Sequence, residues 1–232
     1  RAALDELRDS GPDVFAPFVV AVTGSGRVSK GSLEYLDMVG AVPCTLAECL
    51  ALPTEAPGDK SLRVLHLTDD MLYEWAGQHR RFDFAHFLQH PQLYVCKGPM
   101  YLPFMKALIN GSYWDERFPR LLDDGAARRA FASETLPPVL GDIACDIRGG
   151  IEWTVMATEN DAPAFVYDPA TGGATVGVEG RGVAIMSVDN LPTALPRDAS
   201  VDFSKALFPY VRTFFEADLS KGVSELSHAH QN

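Results

Sequence analysis

A glycine turn between an apolar run and a helical pattern constrains this chain more than any other feature. Residues Phe18–Thr23 (FVVAVT) are apolar and mostly β-branched over the length of one strand, and the glycine turn at residues 24–26 (GSG) follows at once. Leu33, Leu36 and Val39 are then spaced as on one face of a helix. A strand, a glycine turn and a helix in this order predict a βα unit that can hold the phosphates of a dinucleotide.

Each position of the turn has a physical reason in such a site. Gly24 permits the tight turn, and Gly26 has no Cβ, so a pyrophosphate can approach the backbone. A helix that begins near residues 27–29 presents free N–H groups and the positive end of its dipole. The third position of G-x-G-x-x-G is Ser29, which departs from the motif but is small enough for close packing. On the motif alone, a nucleotide site and a purely structural βα turn are alternatives.

Composition and charge exclude several classes of protein. The sequence is 47% hydrophobic and 22% charged, which supplies a buried core and excludes global disorder. The net charge of −11, without Lys/Arg clusters, excludes nucleic acid and an anionic membrane surface as partners. No apolar run reaches the ~18 residues of a membrane span, and residues 1–13 lack the apolar core of a signal peptide.

The length allows one large domain. We expect it at residues 18–219, with a short leading segment at residues 1–17 and a polar tail at residues 220–232. Because the sequence begins with Arg1 and not with Met, we expect a fragment or a processed form. Nothing in the sequence excludes a homo-oligomer.

The cysteines and histidines point to neither a disulfide framework nor a metal site. The four cysteines have no C-x-x-C spacing, so we expect reduced thiols in a cytoplasmic or mitochondrial-matrix protein. His86 and His90 have i, i+4 spacing, but Pro91 follows at once and no HExxH pattern surrounds them. His79 is seven residues from His86, and the histidines of the tail are too close to the terminus to indicate a metal. We therefore predict no metal.

The second strand of the unit bears on the choice of cofactor. In an NAD-binding unit, an acid about 20 residues after the glycines binds the ribose 2′-hydroxyl. Residues 41–45 are the candidate strand, and Cys44 and Thr45 occupy that position, with Glu48 three residues later. The absence of an acid there predicts NADP, whose 2′-phosphate an acid would repel, and NAD stays open. Three bases are either its positive partner or ordinary solvated side chains: Arg27, Lys30 and Arg63.

Polar residues follow three further buried strands. Asn110 ends an apolar run and precedes Gly111, which predicts either a cofactor loop at residues 110–113 or a tight turn. A second strand is predicted at residues 139–147, with Asp142 and Asp146 on one face and Asp146 near its carboxyl end. The third strand, residues 182–188, precedes Asp189 and Asn190. These three strand ends predict one shared rim.

The remaining pattern predicts an α/β fold of the Rossmann type, with a doubly wound, mostly parallel sheet and flanking helices. Residues 68–89 are predicted as one helical region rich in aromatic side chains. Residues 163–168 and 173–179 are predicted as strands around a turn. A helix is predicted at residues 199–208 or beyond, with Pro209 as a kink or restart.

Six stretches resemble the lysine-ketoglutarate reductase portion of the α-aminoadipic semialdehyde synthase family, bifunctional enzymes of lysine degradation. They are VTGSGRVSKGSLE (22–34), LINGSYW (108–114), FPRLL (118–122), GDIACDIRGGIEW (141–153), VEGRGVAIMSVDNLP (178–192) and LFPYV (207–211). They occur in the family's order over most of residues 18–211. Saccharopine dehydrogenases of fungal lysine biosynthesis and alanine dehydrogenases are more distant relatives.

The resemblance implies a reductive condensation. The ε-amine of lysine forms an imine with 2-oxoglutarate, and NADPH reduces this imine to saccharopine. Five residues match the family's phosphate loop: Gly24, Ser25, Gly26, Arg27 and Val28. Asn110 and Gly111 match a loop expected over the adenosine half of the cofactor. Asp146, Asp189 and Asn190 match segments expected beside the nicotinamide.

The resemblance implies no catalytic residue in this chain. The family's acid/base pair, a Lys and a His, comes from an amino-terminal domain that precedes the first Rossmann strand. Only seventeen residues precede Phe18 here, so we expect lysine and 2-oxoglutarate to bind through a domain that this sequence lacks. A non-catalytic nucleotide-binding or regulatory fragment is the alternative, as is a domain of a related saccharopine or alanine dehydrogenase.

Overall fold

The computed structural model describes residues 18–52, 61–77 and 81–217. The helix predicted at residues 1–8, the loop predicted at residues 53–59, His79 and the polar tail lie outside these ranges. The chain divides into two compact units, Arg1–Asp189 and Asn190–Asn232, and each is described by itself.

An eight-stranded, mostly parallel sheet forms the centre of the first unit. Its spatial order is β2-β3-β1-β6-β7-β10-β8-β9, and the first six of these strands are parallel. The strands are β1 (Phe18–Thr23), β2 (Val42–Cys44), β3 (Leu62–Leu67), β6 (Ala107–Asn110), β7 (Val139–Asp142), β8 (Ala164–Asp168), β9 (Gly173–Val176) and β10 (Val183–Met186). A separate antiparallel pair consists of β4 (Tyr73–Trp75) and β5 (Tyr94–Cys96).

Residues 18–22 of strand β1 are all apolar, as expected for a strand that is covered on both faces. Val19 and Ala21 belong to one hydrophobic cluster, whereas Val20 and Val22 belong to another on the opposite face. Full burial of a side chain of this size contributes about 1.5–3 kcal/mol. The continuous apolar run is therefore what a central parallel strand requires.

Helices cover both faces of the sheet. Leu36 of α1 packs in the cluster with Val20, whereas α2 to α5 contribute to the cluster with Val19. The helices of the unit are α1 (Arg27–Met38), α2 (Leu46–Ala51), α3 (Asp69–Leu72), α4 (Phe84–Gln89) and α5 (Asp124–Ala132). The predicted α/β fold with a mostly parallel sheet and flanking helices is confirmed.

The prediction of one helical region at residues 68–89 is wrong. The chain forms the single turn of α3, then strand β4, and begins α4 only at Phe84. Tyr73 and Trp75 of β4 pair with Cys96 and Tyr94 of β5. Aromatic residues favour a half-buried pleated surface, and this tertiary pairing overrides the helical spacing.

The strand predicted at residues 139–147 is shorter than expected, because β7 ends at Asp142. Cys145 and Arg148 then adopt positive φ angles of 47° and 51°, which a continuing strand does not allow. Asp142 and Asp146 therefore do not share a strand face. Asp142 is buried at the strand end, whereas Asp146 is exposed in the following turn.

The four cysteines are free thiols. The Sγ atoms of Cys44 and Cys49 lie 2.9 Å apart, a thiol–thiol hydrogen bond between the end of β2 and helix α2. Burial raises the pKa of Cys49 to about 12 and that of Cys96 to about 11. Both thiols therefore stay protonated and weakly reactive at neutral pH.

The second unit contains a 3₁₀ turn, Leu191–Ala194, and one long helix, α6 (Pro196–Glu216). Pro209 lies inside α6, so the helix continues past it and does not restart there. Within residues 18–52, 61–77 and 81–217, no helix is both long and apolar enough to cross a membrane.

Candidate functional site

The glycine turn after β1 is built around Gly24. Gly24 has a φ of +92°, and its N–H donates to the Leu67 carbonyl oxygen over 3.0 Å. A Cβ placed on Gly24 would lie 2.9 Å from Ser29 Oγ and 3.0 Å from Ser112 Cα. Both the left-handed backbone and the close neighbours therefore require glycine at this position.

Gly26 differs from Gly24, because no atom of the described residues crowds it. Its φ is −80°, and no heavy atom lies within 4 Å of a Cβ placed there. Gly26 is the N-cap of α1, and no side chain caps the helix in the part of the chain that the structure describes. The open space lies at the positive end of a twelve-residue helix, which is the geometry of a phosphate site.

Ser29 replaces the third glycine of the motif without loosening the packing. Its side chain is fully buried, and its Oγ donates to the Thr23 carbonyl oxygen over 2.7 Å. A Cβ on Gly111 would lie 2.7 Å from Ser29 Oγ. Gly111 therefore brings the loop after β6 directly against α1, and the prediction that a serine fits here is confirmed.

A cavity of about 700 Å³ opens over this turn. Five residues of the predicted phosphate loop and one of the predicted adenosine loop line it: Gly24, Ser25, Gly26, Arg27, Val28 and Gly111. The other lining residues are Asp69, Asp70, Tyr73, Phe82, Phe84, Phe87, Leu88, Ser112, Tyr113 and Phe118. The structure thus brings six of the ten predicted site residues to one cavity.

Aromatic side chains form one wall of the cavity. The Phe87 ring stacks on Tyr73 at a centroid distance of 4.7 Å and on Phe118 at 5.0 Å. Tyr113 meets the edge of Phe118 at 6.2 Å and is 77% exposed. A planar heterocycle such as adenine fits against a wall of this kind.

Asn110 lies beneath the cavity in a buried chain of hydrogen bonds. Its Oδ1 accepts from Thr23 Oγ1 over 2.8 Å and from the Ser112 N–H over 3.2 Å. Its Nδ2 donates to Asp142 Oδ1 over 2.9 Å, and Thr154 Oγ1 donates to Asp142 Oδ2 over 2.5 Å. These bonds are those of a turn residue that positions the residues after it, and the cofactor-loop role of Asn110 stays a prediction.

Burial raises the pKa of Asp142 above its usual range. The hydrogen bonds from Thr154, from Asn110 and from the backbone of Cys145 act in the opposite direction. Desolvation is the larger effect because the carboxyl group is buried at the carboxyl end of the central strand β7. The buried and hydrogen-bonded carboxylate of this stretch is therefore Asp142, and not Asp146, which the resemblance places beside the nicotinamide.

One buried polar group at the cavity lacks a partner. Ser112 is 9% exposed, and its Oγ is the buried side-chain oxygen without a hydrogen bond among the residues that the structure describes. An unpaired buried hydroxyl costs about 1–3 kcal/mol.

The predicted rim exists, because β6, β7 and β10 are adjacent and parallel. Asp146 and Asp189 are exposed in the loops after β7 and β10 and do not line the 700 Å³ cavity. Both lie near Cys145, whose pKa is raised first by burial and then by the charges of Asp142, Asp146 and Asp189. Their nicotinamide role stays a prediction.

Asn190 is the first residue of the second unit and is exposed. Its carbonyl oxygen accepts from the Thr193 hydroxyl over 2.6 Å and from the Thr193 N–H over 3.1 Å. The contacts of Asn190 are thus those of a 3₁₀ turn, and its cofactor role stays a prediction.

Cys44 and Thr45, from which NADP was predicted, do not follow the strand beside β1, and the choice between NADP and NAD stays a prediction. The strand after α1, β2, is at the edge of the sheet, and β3 lies between it and β1. If the six parallel strands are numbered 1 to 6 along the chain, their spatial order is 2-3-1-4-5-6. The usual dinucleotide-binding fold has the spatial order 3-2-1-4-5-6. The residues beside the glycine turn are therefore those after β3, and they include Asp69 and Asp70.

A sequence signal for this exchange was present. Pro43 is the central residue of β2, and a proline cannot donate to a ladder, so it is confined to edge strands. The run LRVLHL of β3 is longer and more apolar, as a central strand requires. The sequence pattern places the ribose-binding acid about 20 residues after the glycines, at the end of β2. It therefore does not indicate Asp69 and Asp70, which follow β3.

His86 and His90 pack against aromatic rings and against each other. His86 stacks on Trp75 at 4.4 Å, and its Nδ1 lies 3.0 Å from the Tyr94 hydroxyl. Within the described ranges, no group of three or more His, Cys, Asp or Glu side chains is arranged to hold a metal.

Among known proteins, the chain is similar to alpha-aminoadipic semialdehyde synthases. The alpha-aminoadipic semialdehyde synthase of Arabidopsis thaliana is 31% identical to this chain over 226 residues, which are 89% of the chain and 21% of that protein. The mitochondrial alpha-aminoadipic semialdehyde synthases of Rattus norvegicus and Bos taurus are each 28% identical over 247 residues, 94% of the chain and 26% of each relative. No protein-family model matches the chain.

The predicted resemblance is therefore confirmed. The chain is homologous to one part of alpha-aminoadipic semialdehyde synthase and spans about a fifth to a quarter of the length of these relatives.

Proposed function

We propose that this chain is the NAD(P)-binding domain of a lysine-ketoglutarate reductase, an oxidoreductase of lysine degradation that acts on CH–NH bonds. The observation that carries the proposal is the open space over Gly26 at the uncapped start of α1. This space is at the positive end of the α1 dipole and opens into the 700 Å³ cavity, which is where a pyrophosphate would lie. The homology to alpha-aminoadipic semialdehyde synthase supplies the reaction class.

Different residues at and near the cavity would bind different parts of the cofactor. The first N–H groups of α1 and the guanidinium of Arg27 would hold the pyrophosphate against Gly26. Tyr113 and the stacked rings behind it would receive the adenine. The loops after β7 and β10, with Asp146 and Asp189, would border the nicotinamide at the shared rim.

The buried hydrogen bonds would position this surface. Asn110 holds the Ser112 N–H and Thr23 together, so the loop after β6 cannot move away from the glycine turn. A preorganised loop loses less conformational freedom on binding than a mobile one.

The reaction is the reduction of the imine between the lysine ε-amine and 2-oxoglutarate to saccharopine. The bound nicotinamide dinucleotide supplies the hydride. We propose that the groups that bind the two substrates and transfer protons belong to a part of the enzyme outside these 232 residues. The mammalian relatives carry "mitochondrial" in their names, and we propose the mitochondrial matrix or the cytoplasm for this protein.

The test is a fluorescence titration of the protein with NADH and with NADPH, in parallel for two variants. Gly26→Val places a branched side chain where the pyrophosphate would lie, at a φ that valine adopts without strain. Gly31→Val is the matched control, because Gly31 is in the same helix, has no heavy atom within 4 Å of a Cβ and is outside the cavity.

We expect cofactor binding by the wild type and by Gly31→Val, and a loss of at least about tenfold for Gly26→Val. The melting temperatures of the two variants should stay close to each other. Equal affinity of Gly26→Val and the wild type would contradict the proposal, as would the absence of binding to either cofactor.

A further inference from the structure

Two free thiols are in contact at the carboxyl end of the edge strand β2. We propose that Cys44 and Cys49 form a redox modification site, at which a small-molecule disulfide such as glutathione disulfide oxidises them to a reversible disulfide within the chain. The inference does not depend on the proposed function, because the two cysteines do not line the cavity over the glycine turn.

The two sulfur atoms are close enough to form a bond after a small movement. Cys44 Sγ lies 2.9 Å from Cys49 Sγ, and the sulfurs of a disulfide are about 2.05 Å apart. The two atoms must therefore approach each other by less than about 1 Å. Small rotations of the two side chains supply a movement of this size without a change of the backbone.

The backbone holds the two thiols in this position. Cys44 pairs in register with Leu65 of β3. The Cys49 N–H donates to the Thr45 carbonyl oxygen over 3.0 Å. In a capping box, the Thr45 N–H donates to Glu48 Oε2 over 2.7 Å, and the Glu48 N–H donates to Thr45 Oγ1 over 3.2 Å. These reciprocal bonds link the residue after the first cysteine to the residue before the second, so they fix the separation of the two thiols.

The other two cysteines have different surroundings. The Cys96 thiol donates to the Leu121 carbonyl oxygen over 3.7 Å. Cys145 is half-buried in the turn after β7, where its φ is 47°. In the part of the chain that the structure describes, which includes all four cysteines, the thiol–thiol contact is that of Cys44 with Cys49.

The exposure of the two thiols determines the order in which they react. Cys44 is half-buried, whereas Cys49 is 6% exposed. An oxidant from solution therefore reaches Cys44 first. The Cys44 thiolate attacks one sulfur of glutathione disulfide, which gives a mixed disulfide at Cys44 and releases one glutathione thiolate.

The second step takes place within the chain. The Cys49 thiol loses its proton, and its thiolate attacks Cys44 Sγ, which forms the new disulfide and releases the second glutathione thiolate. Two protein thiols are thereby oxidised by two electrons, and one glutathione disulfide is reduced to two glutathione molecules, which take up the two protons. Burial raises the pKa of Cys49 and makes this step the slower one. The contact between the sulfurs compensates, because it gives the attacking thiol a high effective concentration.

The test treats the full chain with glutathione disulfide and then blocks the remaining thiols with iodoacetamide. Glu48 lies between the two cysteines, so a protease that cleaves after glutamate separates their peptides unless a disulfide joins them. Mass spectrometry of the digest therefore locates the bond. Cys44→Ser and Cys49→Ser each remove one partner, and Cys96→Ser is the matched control, because it removes a thiol outside the pair. Melting temperatures of the reduced proteins serve as the control for folding.

We expect the wild type to lose two of its four thiols to a bond between Cys44 and Cys49, and dithiothreitol to restore both. Cys96→Ser should form the same bond. Cys49→Ser should retain glutathione on Cys44, and Cys44→Ser should form no disulfide within the chain. Retention of four thiols by the wild type would overturn the inference, as would a lasting glutathione adduct without a cross-link, or a bond to Cys96 or Cys145.

A second measurement, on the wild type alone, tests the folded geometry. The equilibrium constant for exchange with glutathione is measured in buffer and in denaturing urea. Because the folded chain holds the two sulfurs in contact, we expect this constant to be at least about tenfold larger in the folded protein. Equal constants would show that the folded structure does not favour the bond, and they would overturn the inference.

Discussion

Asn110 Nδ2 donates to Asp142 Oδ1 over 2.9 Å, and this bond joins the carboxyl ends of the neighbouring strands β6 and β7. Thr23 extends the chain of bonds to β1. Three central strands are therefore tied together at the edge where the glycine turn begins. Buried, fully satisfied polar groups of this kind specify one arrangement of a strand end, because every other arrangement leaves a group unpaired.

The raised pKa of Asp142 predicts how stability depends on pH. The unfolded carboxyl group titrates at about 3.9, and the folded one at higher pH because of burial. Between these two values the folded state holds a proton that the unfolded state has lost, so the contribution of Asp142 to the free energy of unfolding falls as pH rises. Asp142→Asn removes this contribution while keeping the shape of the side chain.

The measurement is chemical denaturation of both proteins from pH 3.5 upward. We expect the difference in free energy of unfolding to shift in favour of Asp142→Asn as pH rises, by on the order of 1 kcal/mol for each pKa unit. A difference that is independent of pH would show that the hydrogen bonds offset burial, and one that moves in favour of the wild type would show that they outweigh it.

The two glycines of the turn should respond differently to alanine. Gly24→Ala introduces a Cβ at a φ of +92° and 2.9 Å from Ser29 Oγ, and we expect a loss of about 2 kcal/mol or more. Gly26→Ala places its Cβ more than 4 Å from every heavy atom of the described residues outside its immediate neighbours, and we expect a change within about 0.5 kcal/mol. Denaturant midpoints of the two variants check the contrast, and equal losses would contradict the geometry of the turn.

Two aromatic residues of the cavity wall differ in exposure, so we expect their substitutions to have different effects. Tyr113 is 77% exposed, so Tyr113→Ala should weaken ADP-ribose binding by about fivefold to tenfold with little loss of stability. Phe118 is 6% exposed and stacks on Phe87, so Phe118→Ala should cost about 3–5 kcal/mol of stability. Calorimetric titration with ADP-ribose and thermal unfolding measure both effects. Unchanged ADP-ribose affinity in Tyr113→Ala would remove this side chain from the adenine site.

The predicted nicotinamide role of Asp189 can be tested with two ligands. ADP-ribose contains the adenosine half of the cofactor and lacks the nicotinamide. We expect Asp189→Ala to weaken NADH binding by about fivefold, the worth of one hydrogen bond, and to leave ADP-ribose binding unchanged. If thermal stability falls while both affinities are retained, Asp189 serves the turn after β10.

A glycine far from the cavity offers a test of the fold itself. Gly182, before β10, has a φ of +135°, and a Cβ there would lie 1.9 Å from the Tyr167 carbonyl oxygen. Gly177 has a φ of +113° and no heavy atom within 4 Å of a Cβ. Gly182→Ala should therefore cost several kcal/mol, and Gly177→Ala about 1–2 kcal/mol from backbone strain alone. Thermal unfolding of both variants distinguishes contact from strain.

The local parts of this protein could be predicted from its sequence. Residues close together in the chain determine strand β1, the glycine turn, α1 and the polar residues at the ends of β6 and β10. Apolar runs, glycine conformations and helical spacing act over a few residues, so local chemistry is enough to determine them.

Which strands are neighbours was decided only by the tertiary structure. Covalent order places β2 next after β1, yet Pro43 lacks the N–H that a central strand needs, and β3 occupies the place beside β1. This exchange brings Asp69 and Asp70 to the cavity, and with them the charge that a cofactor would meet. The physical reason is that sheet order follows from which strands can hydrogen-bond and bury both faces, and those contacts join residues distant in the chain.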